Sequence, residues 1–230
     1  MYAGDRFLAA NLETIRLAAI GPTDEGAFAS YRMRAHRQIA ELNACNEDNL
    51  YLANATLSWG GLVDEANNVL ERASLCRYWD EIPPFFLGFN HYFFNQDTAK
   101  ARRFIGIAAE RSSDVNRAEL QKISIMMEAR KFKDEKLAVK YLRQQRDETK
   151  DQKLAEMLDL RLSRLKGLIT LREAQAQYEQ VRGHPLNNPA ELVSTGILKE
   201  YPQDPMRIGY EFINGNFRLK AMKIGGMEIR

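Results

Sequence analysis

The residues whose chemistry would be easiest to recognise are three histidines and two cysteines, and their spacing argues against most of that chemistry. His36, His91 and His184 fall on separate segments. There is no His-Glu-x-x-His pair to hold a catalytic metal and no Cys-x-x-Cys hook for a structural one. A Gly-x-Ser-x-Gly nucleophile elbow, a phosphate-cradling glycine loop and a dinucleotide fingerprint are also missing. The chain therefore reads as non-enzymatic, with no metal and no cofactor. Cys45 and Cys76 suggest a different chemistry. If Gly60-Gly61 turns the chain between two helices, the two sulfurs come together at the open end of one helical hairpin and could form a disulfide. The alternative is two small buried thiols at helix ends. Adjacent helix axes lie about 8–10 Å apart, farther than a disulfide reaches unless the chain bends inward. A bond would imply an oxidising compartment such as the periplasm.

Aromatic residues are densest from Trp79 to Phe94, where Phe85, Phe86, Phe89, Tyr92 and Phe93 follow one another closely. On a helix they point nearly all the way round, so one side belongs to the core and another must meet something else. Three readings are open: neighbouring helices sandwich this one on both faces, one face forms a peptide groove, or the rings insert at a membrane interface beside Asp80 and Glu81.

The elements that would position these residues are mostly helical. A helix runs from about Asp5 to Ile20 with Phe7, Leu8, Leu12, Ile15 and Leu17 as its apolar stripe, and Gly21-Pro22 stops it. Thr23, followed by Asp24 and Glu25, opens a second helix carrying Phe28, Tyr31, Met33, Ile39 and Leu42. Asn46-Glu-Asp starts a third, ended by Gly60-Gly61 before the helix of Leu62 to Leu75. Pro83-Pro84 suits the first turn of the aromatic helix, and Asn95-Gln96-Asp97 leads into Thr98 to Arg111. A third pair covers about 115–130 and 134–146. An uninterrupted amphipathic pattern then runs from about Gln152 to Arg182, closed by Gly183. Beyond it lie a short helix at Asn188-Pro189, a rigid loop at Tyr201-Pro-Gln-Asp-Pro205, and a hairpin of residues 210–219 around Asn214-Gly215.

Within this succession Gly61-Leu-Val-Asp-Glu-Ala66-Asn-Asn-Val-Leu70-Glu-Arg-Ala73 overlays Gln96-Asp-Thr-Ala-Lys-Ala101-Arg-Arg-Phe-Ile105-Gly-Ile-Ala108 at a shift of 35 residues. The pattern resembles the tetratricopeptide repeat over about residues 25–148, most clearly from 47 to 111. Leu57 and Tyr92 fall at the family's large first-helix position. Asn54 and Phe89 stand where the family usually has Gly or Ala, and Gln96 replaces the turn glycine that Gly61 supplies.

The resemblance implies a mainly α fold: a solenoid of antiparallel helix pairs over 1–148, a long capping helix over 149–182, and a small helix-plus-hairpin tail over 183–230. It also implies an inner face that meets a partner, made by Tyr51, Ala55, Ser58 and Trp59, then Phe86, Asn90, Phe93 and Phe94, then Met127, Arg130 and Lys131. Such a face suits an extended or helical peptide, with Asn90 pairing to its backbone. The basic residues with which chaperone-binding members clamp a terminal carboxylate are missing. The order Tyr178, Gly183-His-Pro, Glu191-Leu-Val, Gly196, Pro202, Asp204-Pro205 and Tyr210 is similar to the tail of bacterial pseudopilins, although Met206-Arg207-Ile208 replaces the glycine-rich stretch expected there.

Composition sets the remaining bounds. A net charge of +2, with acids and bases interleaved, gives no case for nucleic acid. No run is long and apolar enough to cross a bilayer, and Met1 to Ile20 lacks the features of a secretory signal. The expected partner is a protein or peptide, not a small-molecule substrate. The expected place is the periplasm or the extracytoplasmic side of a membrane, with room for an anchor outside this chain, or alternatively the cytoplasm. Two functions compete: a scaffold that binds a peptide on its inner face, and a structural subunit of a bacterial envelope assembly (pilus or secretion) acting through its tail and long helix.

Overall fold

The computed structural model describes residues 4–20, 26–220, 222–224 and 227–229. The helix stop at Gly21-Pro22 and the start at Thr23 lie outside the described residues, as does the side chain of Phe28. The described fold is mainly α, with short antiparallel strands near the C-terminus. It divides into two compact units, residues 1–127 and 128–230.

The first unit holds α1 (Arg6–Ile20), α2 (Gly26–Leu42), α3 (Glu47–Ala53), α4 (Val63–Cys76), α5 (Ile82–Phe93), α6 (Thr98–Arg111) and most of α7 (Asp114–Ala129). Helices that follow one another pack against each other: α1 on α2, α3 on α4, α4 on α5, α5 on α6. Caps explain where several begin. The Asn46 side chain accepts from the Asn49 amide to start α3, and Asp97 accepts from Lys100 N to start α6. Pro83 and Pro84 occupy the first turn of α5, where a missing N–H costs nothing.

The 35-residue recurrence is also one of burial. Ala66, Leu70 and Ala73 on α4 and Ala101, Ile105 and Ala108 on α6 are all interior, packing against the large side chains of α3 and α5. Small residues at these positions let the helix axes approach closely. Gly88 on α5 marks the tightest point, because a Cβ there would lie 2.7 Å from Ile105 Cγ1 and 3.1 Å from the Ala101 carbonyl oxygen. Gly61 and Gln96, the equivalent turn residues, both take left-handed backbone, with φ of 81° and 55°. The requirement for that conformation therefore persists where the glycine does not.

Cys45 and Cys76 are joined in a disulfide with their Cα atoms 5.3 Å apart. The chain bends inward as the bond requires: Cys45 lies in the turn before α3 rather than on a helix, and Cys76 is the last residue of α4. The beginning of α3 is thus tied to the end of α4, so the two helices run antiparallel. A closed loop of this length is worth about 3–4 kcal/mol through the entropy it removes from the unfolded chain. Arg77 secures the same corner, donating to Asp80 at 2.7 Å, to Glu47 at 3.1 Å and to the Cys45 carbonyl.

In the second unit α8 (Glu135–Glu148) packs along α9 (Gln152–Arg182), and Asp151 caps α9 by accepting from Leu154 N. Gly183, with φ of 72°, ends α9 in left-handed backbone. Leu168, Leu171, Ala174 and Tyr178 of α9 form one core with Leu186, Leu192 and Phe217 of the segments that follow. Arg164 and Asp204 make a buried ion pair at 3.0 Å. Asp204 also accepts from the amides of Met206, Ile208 and Gly209, while Arg164 donates to the Lys220 carbonyl. These added hydrogen bonds on both partners offset the cost of burying the charges. Strands β1 (Tyr210–Ile213) and β2 (Asn216–Leu219) form the hairpin around Asn214-Gly215, both in left-handed backbone. A second hairpin, β3 (Met222–Ile224) with β4 (Met227–Ile229), follows and has no counterpart in the sequence reading.

Candidate functional site

Tyr51, Ala55 and Trp59 recur every four residues at the surface of the α3 segment. Across from them, α5 presents Phe86, Phe89 and Phe93. The two rows meet ring to ring. Tyr51 contacts Phe86 edge-on at 5.7 Å, Trp59 contacts Phe93 at 5.6 Å and Phe94 at 5.3 Å, and Phe89 stacks on Phe93 at 5.4 Å. Such pairs add roughly 0.5–1.5 kcal/mol each beyond the area they bury and hold the rings in place. Tyr51, Trp59 and Phe93 still leave 42%, 58% and 46% of their surface exposed. Burial and the nearby Glu47 push the Tyr51 phenol above its ordinary pKa, so near neutrality it is an uncharged hydrogen-bond donor.

Two residues expected on this face are interior instead. Asn90 is fully buried, and its Nδ2 lies within hydrogen-bonding distance of Asn67 Oδ1 (2.9 Å), Ser58 Oγ (3.0 Å) and Asn54 Oδ1 (3.1 Å). Ser58, 1% exposed, belongs to the same cluster. Ser58 is the last residue of a π-helical turn over Asn54–Ser58, a wider winding that extends α3, and it faces Asn90 of α5 there. Neither side chain can reach a partner, so the expected pairing of Asn90 with a peptide backbone is replaced by a polar tie between α3, α4 and α5. Met127 is likewise interior, packed with Ala101, Ile105 and Leu120. Arg130 is exposed, and Lys131 pairs with Glu128 at 3.1 Å; both belong to the second unit. The structure thus brings together Tyr51, Trp59, Phe86, Phe93 and Phe94, and it does not bring Asn90, Ser58 or Met127 to that surface.

A feature absent from the sequence reading lies beside this face. Two hollows of about 300 Å³ each open next to one another between α1 and α3 and share Ala18 and Leu52. One is lined by Thr14, Ile15, Asp48 and Tyr51; the other reaches down to Arg32 and His36 of α2 and Thr56. Four-residue spacing places Arg32 and His36 on one helical face, a signal the sequence contains. Its meaning depends on α1 and α3 standing apart above them.

Among the described residues no group of three or more His, Cys, Asp or Glu could hold a metal ion, and no helix is long and apolar enough to cross a membrane. His91 stacks on Phe104 at 5.5 Å, and burial holds it below its ordinary pKa. His184 lies in the second unit against Tyr178. Comparison of the chain with models of known protein families, with curated proteins and with solved structures yields no significant match in any of the three.

Proposed function

We propose that the chain is a non-enzymatic protein-interaction scaffold, a tetratricopeptide-like array of helix pairs that receives a peptide or protein segment across the aromatic face of α3 and α5. One observation carries this reading: Tyr51, Trp59 and Phe93 are held by ring contacts and yet remain about half exposed. Fixed rings lose little entropy on binding and offer large contact area, the combination found where interfaces concentrate their energy. Ala55, small and exposed between Tyr51 and Trp59, leaves room for a partner's backbone or side chain. The recurrence of buried small residues at 35-residue spacing supports the repeat likeness. The Cys45–Cys76 bond favours an oxidising, extracytoplasmic setting such as a bacterial envelope assembly.

The test is affinity capture from cells of the native host with wild-type chain and with a Trp59→Ala/Phe93→Ala double variant. Recovery of the partner is expected to fall by about tenfold or more, as for loss of a central aromatic contact. The melting temperature should fall because the double variant loses ring contacts that also hold the fold, so recovery is compared per folded molecule at a temperature where the circular dichroism spectrum matches wild type. Undiminished recovery would refute the aromatic face as the docking site.

A further inference from the structure

One of the two hollows between α1 and α3 adjoins the aromatic face, since Tyr51 belongs to both. Its volume is about 310 Å³, and Ile15, Ala18 and Leu52 make apolar walls. Its remaining side chains are those of Thr14, Asp48 and Tyr51. The first two can act only as acceptors. Thr14, buried, gives its one hydroxyl hydrogen to the Ala10 carbonyl at 2.9 Å, so its oxygen can only accept from anything else. Asp48 is exposed, and among the described residues no cation lies within ion-pairing distance of its carboxylate. The nearby bases are engaged elsewhere. Arg77 is held by Glu47 and Asp80, and Arg16 faces α2, 5.4 Å over the Tyr31 ring and 3.8 Å from Glu13. Arg32 lines the neighbouring hollow and not this one. Beyond burial, the Tyr51 phenol feels three acids, Glu47, Asp80 and Glu81, against one base, Arg77. The hollow thus offers apolar walls, acceptors and a negative field, and its complement is a long side chain that ends in donors and positive charge.

We propose that this hollow is the subsite for an arginine side chain of the bound peptide, whose guanidinium meets the Asp48 carboxylate and the Tyr51 ring while its stem lies on Ile15 and Leu52. A planar guanidinium can take both carboxylate oxygens and also stack on a ring, which a lysine ammonium cannot do, and its methylenes cover apolar surface. The inference rests on the aromatic face as the docking surface, to which it adds the chemical class of one partner residue.

Isotope-labelled protein titrated with N-acetyl-arginine amide, and separately with the citrulline and lysine analogues, provides the test, read from the amide signals of Ile15, Asp48, Tyr51 and Leu52. Citrulline keeps arginine's shape without its charge. The arginine probe should shift these signals saturably and bind about threefold or more tighter than the citrulline probe, the scale of one exposed charge pair with a ring contact; the lysine probe should fall between them. Asp48→Asn, at an exposed position, should bring arginine down to the level of citrulline, and in affinity capture it should reduce partner recovery by about threefold or more. The proposal is overturned if arginine gives no saturable shift, if citrulline or lysine binds as tightly, or if Asp48→Asn keeps either the preference or full partner recovery. The two readings fail separately. Loss of the partner by the Trp59→Ala/Phe93→Ala variant with no arginine preference leaves the aromatic face without this subsite. Partner recovery by that variant with the preference present leaves the arginine site and removes the aromatic face.

Discussion

Asn90 shows how much one buried amide can hold in place. It lies within hydrogen-bonding distance of three side chains on two neighbouring segments, Asn54 and Ser58 of the π-helical turn and Asn67 of α4, and its removal takes a buried polar partner from them. Asn90→Ala is therefore expected to lower stability by about 1–3 kcal/mol in urea unfolding. Partner capture per folded molecule should stay intact, the opposite of what a surface contact residue would give. His36 and His91 add a pH dependence whose sign is set by their surroundings. Desolvation lowers both; Arg32 pushes His36 further down, as Lys100 does His91, while the Asn49 hydrogen bond on His36 and the acids Asp97, Glu71 and Asp64 near His91 act the other way. Folded rings with lowered pKa values stay neutral where unfolded ones, near 6.5, take up protons. Stability is thus full above that value and declines as pH falls through it. The urea midpoint should be lower at about pH 5.5 than at about pH 7.5, and His36→Gln should flatten the difference. Asp97, held low first by the Lys100 amide, loses its contribution only at more acidic pH, below the range in which the histidines act.

Among elements, α5 and α6 pack closely enough at Gly88 that a single atom decides the contact. Gly88→Ala would normally help a helix by removing backbone freedom from the unfolded chain. Here the new methyl would meet Ile105 and the Ala101 carbonyl, and backbone cannot yield as a side-chain tip can. Gly106, on α6 itself, has nothing within 4 Å of the corresponding position. The two substitutions should differ in sign when thermal unfolding is measured. Gly106→Ala should raise stability by up to about 1 kcal/mol, and Gly88→Ala should lower it by about 1–3 kcal/mol. At the π-helical turn that extends α3, its last residue Ser58 is interior while the adjacent Trp59 stays at the surface.

At the scale of the whole molecule each unit has its own core, and the C-terminal tail is part of the second one. Leu186, Leu192 and Phe217 cover the apolar face of α9, and Arg164 binds the loop that Asp204 organises. Deleting residues 183–230 would strip α9 of that cover, so a loss of activity on deletion would report folding of this unit rather than a docking role for the tail. Arg164→Met is the sharper probe. It leaves Asp204 buried without its cation and should cost about 3–5 kcal/mol. Hydrogen exchange should show protection lost along α9 and β1–β2, with the disulfide-tied helices α3 and α4 keeping theirs.

Much of this architecture was legible along the chain. Helix starts at Asn46, Asp97 and Asp151, the stop at Gly183, the long α9 and the Asn214-Gly215 hairpin depend on caps, periodicity and turn residues, which act over a few positions. The spacing of Ala66, Ala73, Ala101 and Ala108 also declared which helix faces are interior. Spacing could mark Asn90 and Ser58 as facing one way, but what that direction meets is the cluster with Asn54 and Asn67, which forms only when α3, α4 and α5 pack together. The second hairpin, β3 with β4, also had a signal in the sequence, Gly225-Gly226 between Met222-Lys-Ile and Met227-Glu-Ile, which the sequence reading did not use, whereas the cavity above Arg32 and His36 arises where three helices leave space. Local chemistry thus determined the elements and the aromatic character of α5. Which rings stay in water, which amides are sealed in, and where a charged hollow opens were decided only when helices distant in sequence packed against one another.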